Sequence, residues 1–222
     1  MKKLKYISYM LGVVIIMTCI NGCSLTKEKV NPVALRMQML EFVEEKYDMK
    51  FIATYFAKDD DNAHLIVYPK GGNKEKDSFK VGWKRDKKSN EEKFFDSLSA
   101  IKMSDKYKEK LEELLNPYFE SYSVEVRADM CVLPNEFGLN DDFQQVIDKE
   151  VEYIPHVDIR VTHSSDTVDD FNNKIDDFFE NVSESHISGH ILIVYLKNKE
   201  INSEIMANDE EYYSRRYVTI EN

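Results

Sequence analysis

The chain has 222 residues, of which 42% are hydrophobic and 12% aromatic, so it is long enough to bury a substantial core. Its few prolines (5) and glycines (7), and the lack of an internal repeat, exclude collagen-like, low-complexity and solenoid structures. A formal net charge of −11 argues against nucleic acid as a partner, because the phosphates of a nucleic acid require a basic protein face.

The first 22 residues differ in character from the rest. Lys2, Lys3 and Lys5 form a basic start, and the segment from Tyr6 to Ile20 is mostly apolar and carries no charge. This pattern is typical of a secretory signal peptide. The apolar run is short for a membrane-spanning helix, which needs roughly 20 apolar residues.

A cysteine follows the apolar run directly, in the order Ile20, Asn21, Gly22 and Cys23. This order resembles the lipobox of bacterial lipoprotein precursors, in which an aliphatic and a small residue precede the modified cysteine. The resemblance implies cleavage between Gly22 and Cys23 and a diacylglyceryl group on the sulfur of Cys23. Two long acyl chains hold a protein firmly at a membrane, whereas one chain binds only marginally. We therefore expect an extracytoplasmic chain anchored to the cell membrane through its lipid.

The expected mature chain begins with a short tether and continues as a folded domain. Residues 23–31 comprise the lipidated cysteine and a polar tether, and residues 32–222 are predicted to form a single domain. A division into two subdomains near 117–121 stays open. Loss of the first 22 residues, with their three lysines and no acid, would change the formal net charge from −11 to −14.

The domain is predicted to be α+β, with amphipathic helices packed on a mixed, largely antiparallel sheet. Asn31 is expected to cap an N-terminal helix that has Pro32 in its first turn. A three-stranded meander should follow, because apolar alternating segments are separated by turn residues. Its strands are predicted at 51–57, 63–68 and 77–85.

Helical spacing of apolar residues predicts two helices after the meander, at 91–101 and 104–115, with Ser104 as the cap of the second. A half-buried strand is predicted from Tyr122 to Met130, where apolar and polar residues alternate. The remaining predicted elements are a helix at 140–149, a strand at 156–162, a helix at 166–181, a central strand at 191–196 and a last strand at 215–220.

Basic residues concentrate in one segment of this acidic chain. Residues 70–88 contain eight basic and three acidic residues, whereas residues 141–184 contain three basic and 13 acidic ones. Such a segment is suited to contact lipid headgroups, an anionic envelope polymer or an acidic protein partner. The alternative is that lysines protect an exposed sheet edge from pairing with other strands. The candidate patch consists of Lys80, Lys84, Arg85, Lys87 and Lys88.

No sequence motif predicts catalysis or a cofactor. The chain has no G-x-S-x-G elbow and no glycine loop that would hold a phosphate. Asp59 to Asp61 begin like a calcium-binding EF-hand loop, but His64 and Lys70 occupy the positions that require Gly and Glu, so a solvated turn is expected.

The histidines are scattered along the chain, and no metal site is predicted from their spacing. His156 and Asp158 share one face of a predicted strand, and His163 lies on the other face. His186 and His190 flank the start of a strand, where their spacing is uninformative.

Cys131 is the cysteine that remains if Cys19 leaves with the signal peptide and Cys23 is lipidated. The mature chain could then form no internal disulfide bond. At the end of a predicted strand, Cys131 is expected to be a small buried apolar residue.

The sequence therefore favours a binding or interaction module of the bacterial cell envelope. The alternative is an envelope hydrolase or metal-dependent enzyme whose site is assembled only by the fold. A solute receptor for a transporter is disfavoured, because such receptors usually have two α/β lobes and a longer chain.

Overall fold

The computed structural model describes residues 30–162, 166–196 and 212–220. The chain divides into two compact units, Met1–Leu35 and Arg36–Asn222. The predicted signal peptide, Gly22, Cys23 and most of the tether lie outside the described residues. No helix in the described ranges is sufficiently long and apolar to cross a membrane.

The α+β class is confirmed, and the strands within the described ranges form two four-stranded sheets. The helices are α1 Pro32–Tyr47, α2 Leu98–Leu115, α3 Phe143–Asp148 and α4 Val168–Glu184. The strands are β1 Phe51–Lys58, β2 Asn62–Pro69, β3 Phe79–Arg85, β4 Glu92–Asp96, β5 Tyr122–Arg127, β6 His156–Val161, β7 Gly189–Leu196 and β8 Tyr212–Ile220. The single domain predicted for 32–222, with its division near 117–121, stays a prediction.

The start of α1 follows from its capping residue. The side-chain oxygen of Asn31 accepts a hydrogen bond of 2.9 Å from the backbone N–H of Val33, which confirms the predicted cap. Pro32 is the first helical residue, where its missing N–H costs nothing.

The first sheet is an antiparallel meander in the order β1-β2-β3-β4. The predicted three strands are present, and Val81 and Trp83 of β3 are fully buried as their alternation predicts. The rings of Phe42 in α1 and Phe94 in β4 stack at 5.7 Å, so α1 packs against the fourth strand.

The helix predicted at 91–101 is wrong for residues 92–96, which form β4 and pair with β3. One helix, α2, follows from Leu98, and Ser104 lies inside it rather than at its start. The N-terminal N–H of Leu98 donates instead to the carboxylate of Asp96 at 2.9 Å. Pairing with β3 overrides local helical spacing here, because strand formation depends on contacts with a neighbouring strand.

The second sheet has the order β5-β6-β7-β8, with a parallel pair at β6 and β7 and antiparallel pairs on either side. Helix α4 connects the parallel strands, as such a pair requires. The predicted central position of β7 is confirmed. Helices α2, α3 and α4 bury one face of this sheet in a common apolar core, which includes Leu111, Ile159, Phe171, Phe178 and Ile193.

Candidate binding face of the first sheet

Strand register places one set of side chains on the outward face of the first sheet, opposite buried Leu65, Val81 and Trp83. Across the four strands, one outward row consists of Ala57, His64, Gly82 and Phe95. The next row contains Asn62, Lys84 and Lys93. Because outward residues alternate with buried ones, Lys80 also lies on this face.

This outward face is basic, and no residue within its four strands places a carboxylate on it. The four strands contain two acidic residues, Glu92 and Asp96, and the register places both on the opposite face. The outward positions hold three lysines and a histidine, in a chain with a formal net charge of −11. We call Lys80, Lys84, Lys93 and His64 the basic face.

A cavity of about 470 Å³ opens on the basic face and is called the basic groove. His64, Lys80, Gly82 and Phe95 line it, together with Lys58 and the acidic residue Asp59. Its volume is within the range of small-ligand sites, about 300–1,000 Å³. The ammonium group of Lys58 donates to the backbone oxygen of Asp59 at 2.7 Å and lies 5.8 Å from the centre of the Trp83 ring.

Gly82 allows an aromatic ring to lie directly on the sheet. A Cβ atom at this position would lie 2.2 Å from ring atoms of Phe95, far inside van der Waals contact. The ring therefore covers the backbone of Gly82, as aromatic residues do across glycine in sheets. Phe95 stays partly exposed, so its ring provides an apolar surface between basic side chains.

The structure divides the predicted basic patch into two groups. Lys80 and Lys84 have no carboxylate within 4.0 Å among the described residues, so their charges are available to a ligand. Arg85 and Lys87 instead approach the carboxylate of Asp61, at 3.5 and 3.6 Å. The prediction of a solvated turn at 59–61 is therefore wrong for Asp61, which is 7% exposed and pairs with these two cations.

Lys88 lies in the turn that connects β3 to β4. Its backbone N–H and that of Ser89 donate to the carboxylate of Asp86 at 2.8 and 2.7 Å. These hydrogen bonds hold the pKa of Asp86 below its ordinary value, and the bond from Ser89 has a larger effect than the bond from Lys88. The side chain of Lys88 is exposed, and the residue lies outside the four strands.

Edge protection does not explain Lys80 and Lys84, because β3 is an interior strand between β2 and β4. The alternative weighed from the sequence is therefore wrong at these two positions. Lys93 of β4 joins them across the strand pair, opposite Lys84. Sequence reasoning missed Lys93 because its segment was predicted to be helical.

The histidines form one further pair that the sequence could not indicate. The parallel register aligns His156 of β6 with His190 of β7, and their ring centres lie 5.0 Å apart. Nδ1 of His190 lies 3.0 Å from the hydroxyl of Thr219. Within the described ranges, no three His, Cys, Asp or Glu residues are grouped closely enough to hold a metal ion. His163 lies outside those ranges.

Cys131 follows a turn rather than ending a strand, because β5 ends at Arg127 and the N–H of Cys131 donates to the backbone oxygen of Ala128 at 3.0 Å. The side chain is half-buried, and burial raises the pKa of the thiol. A raised pKa lowers the thiolate fraction at neutral pH and therefore the reactivity of the residue.

The basic groove can attract and hold an anion, since the lysines supply charge and Phe95 supplies an apolar contact.

No family model and no curated protein matches the chain. A search of solved structures matches a crystal structure of a DUF5037 family protein from Ruminococcus gnavus ATCC 29149, with 11% identity and a TM-score of 0.40. The match covers 79% of this chain and 84% of that protein. A TM-score this low supports no argument about function.

Proposed function

We propose that this chain is a lipid-anchored binding module of the bacterial cell envelope, held at the membrane through Cys23. The basic face binds an anionic envelope polymer. The observation that carries the binding role is the concentration of Lys80, Lys84 and Lys93 on a face where the four strands place no carboxylate, in a chain that is acidic overall. The resemblance of residues 20–23 to a lipobox supports the anchor.

A polymer with repeated negative charges suits this surface better than a small anion does. The basic residues spread over three strands, and the groove is open rather than enclosed, so several weak contacts can act together along one polymer. Each exposed ion pair contributes only about 0.2–1 kcal/mol, which makes multiple contacts necessary for useful affinity. Electrostatic attraction of this kind weakens as salt concentration rises.

The binding role is tested with the full-length chain in a non-ionic detergent and poly(glycerol phosphate) as the probe. The double substitution Lys80→Glu with Lys84→Glu should weaken binding by about tenfold or more, because it replaces attraction by repulsion. Lys70→Glu with Lys74→Glu is the matched control, since both residues are exposed in the turn before β3 and lie off the outward rows. Equal losses in the two double variants would refute a specific role for the basic face.

The anchor is tested by expressing the full-length chain in bacteria with an alkyne-labelled palmitate. We expect the label on the wild-type chain and its absence from Cys23→Ser, which should also leave the membrane fraction. Cys131→Ser is the control and should retain both the label and the membrane location. A Cys23→Ser chain that kept the label would exclude the proposed lipidation site.

A further inference from the structure

A second cavity, of about 810 Å³, lies beside β4 on the side of residues 132–135 and 150–152. Phe42, Phe94 and Leu133 contribute apolar surface to it. Glu150 and Glu152 lie at its border with Glu92. We call this cavity the acidic groove, and its volume is sufficient for a large side chain and the backbone that carries it.

The apolar part of the acidic groove is firmly positioned. The stacked rings of Phe42 and Phe94 are 5.7 Å apart, and the side-chain amide of Asn135 donates to the backbone oxygen of Phe94 at 3.0 Å. Leu133 is 1% exposed, whereas its neighbour Val132 is 36% exposed. An apolar side chain entering the groove would therefore meet a preformed surface, which limits the entropy lost on binding.

The border of the acidic groove is negatively charged. Three glutamates line it against one lysine, Lys93, and the register places Lys93 on the basic face. Glu150 and Glu152 have no cation within 4.0 Å in the described part of the chain. Glu92 accepts a hydrogen bond of 3.2 Å from the indole N–H of Trp83. Two carboxylates thus remain available to a cationic partner.

Glu150 occupies a backbone conformation that favours glycine. It has a φ of 51° and follows α3, where the N–H of Val151 donates to the backbone oxygen of Val146 at 3.0 Å. This is the Schellman arrangement that ends helices, in which glycine is the usual residue. His186 occupies the equivalent position after α4, with a φ of 54°. Glu150 and His186 therefore share a backbone conformation, but only Glu150 borders the acidic groove, so His186 serves as its control.

We propose that the acidic groove binds a short cationic segment of a partner protein, which inserts one apolar side chain against Phe94 and Leu133. Lysine or arginine residues on either side of that side chain then face Glu150 and Glu152. Charge complementarity and the preformed apolar surface together specify this occupant. The acidic groove shares Lys93 with the basic face and Phe95 with the basic groove. The proposal rests on Phe94, Leu133 and the two glutamates, so it does not depend on polymer binding.

The test uses the full-length chain in a non-ionic detergent and the blocked peptide Lys-Lys-Trp-Lys-Lys, whose binding is measured by calorimetry. Glu150→Gly should weaken binding about two- to fivefold, as should Glu152→Gln. Glu150→Gly should also make the chain more stable, since glycine suits the backbone there. His186→Gly should give a similar gain in stability with unchanged peptide affinity.

Peptide variants test the other half of the proposal. Replacing the tryptophan by leucine, with binding followed by calorimetry, should retain most of the affinity, and replacing it by glycine should lower affinity about tenfold or more. The proposal is overturned if the lysine peptide does not bind, if a glutamate counterpart binds equally well, or if Glu150→Gly and Glu152→Gln leave affinity unchanged. A concentration-dependent dimer that Val132→Lys dissolves would assign the groove to a second copy of the chain instead.

Discussion

The hydroxyl of Tyr47 donates a hydrogen bond of 2.6 Å to the carboxylate of Asp96, which is completely buried. Lys46 pairs with the same carboxylate at 2.9 Å, and the N–H of Leu98 donates to it. One side chain at the end of β4 therefore joins the last turn of α1 to the first turn of α2. Burial raises the pKa of Tyr47, and the hydrogen bond to Asp96 raises it further by a smaller amount.

Asp96→Asn should lower the free energy of unfolding by about 3–5 kcal/mol, because Lys46 would keep a largely buried charge without its partner. Tyr47→Phe should cost less, about 1–2 kcal/mol, since only one hydrogen bond to a charged group is lost. Urea unfolding measures both values. Tyr55→Phe is the control because Tyr55 is exposed and has no hydrogen bond in the described structure. A Tyr47→Phe chain as stable as wild type would contradict this account.

Stability should fall as pH rises above about 10, the ordinary pKa of tyrosine. Burial raises the pKa of Tyr107 and Tyr153 as well as that of Tyr47. The unfolded chain therefore releases protons in a pH range where the folded chain still retains them, so alkali favours unfolding. Urea unfolding at pH 9 and pH 11 measures the slope, which Tyr107→Phe should reduce. The same slope in both chains would show that Tyr107 does not contribute.

Gly82→Ala should lower stability by about 1–2 kcal/mol, because the added methyl group would displace the ring of Phe95. In a chain that already carries Phe95→Leu, the same substitution should cost less, since the ring is absent. A double-mutant cycle from thermal or urea unfolding measures this coupling. Independent, additive effects would show that Phe95 does not lie over Gly82.

Among the described residues, three helices are followed by a residue in the left-handed conformation that is not glycine. Asp48 follows α1 with a φ of 49°, in the same role as Glu150 and His186. Asp48→Gly should therefore raise the free energy of unfolding by about 1 kcal/mol, because an L side chain is strained there. Asp48→Ala should give no such gain, and urea unfolding distinguishes the two. Equal stability of both variants would point to loss of the carboxylate as the cause.

The sequence predicted those elements whose apolar spacing is strong. Val81 and Trp83 alternate along β3, and Tyr107 and Leu111 repeat along α2, because each segment must bury one face. The prediction from sequence was wrong at β4, because Phe94 and Phe95 are compatible with a helix or a strand. Pairing with β3 decided that segment, and short apolar runs are ambiguous for this reason.

From the sequence alone came the expected anchor at Cys23, the α+β class and the presence of a basic segment near Lys80. The tertiary structure decided which charges act together. Asp61 pairs with Arg85 and Lys87, whereas Lys93 lies with Lys80 and Lys84 on one face. It also brought His156 beside His190 across a parallel strand pair. Spacing along the chain determines the face on which a side chain lies, but only the pairing of distant strands determines its neighbours.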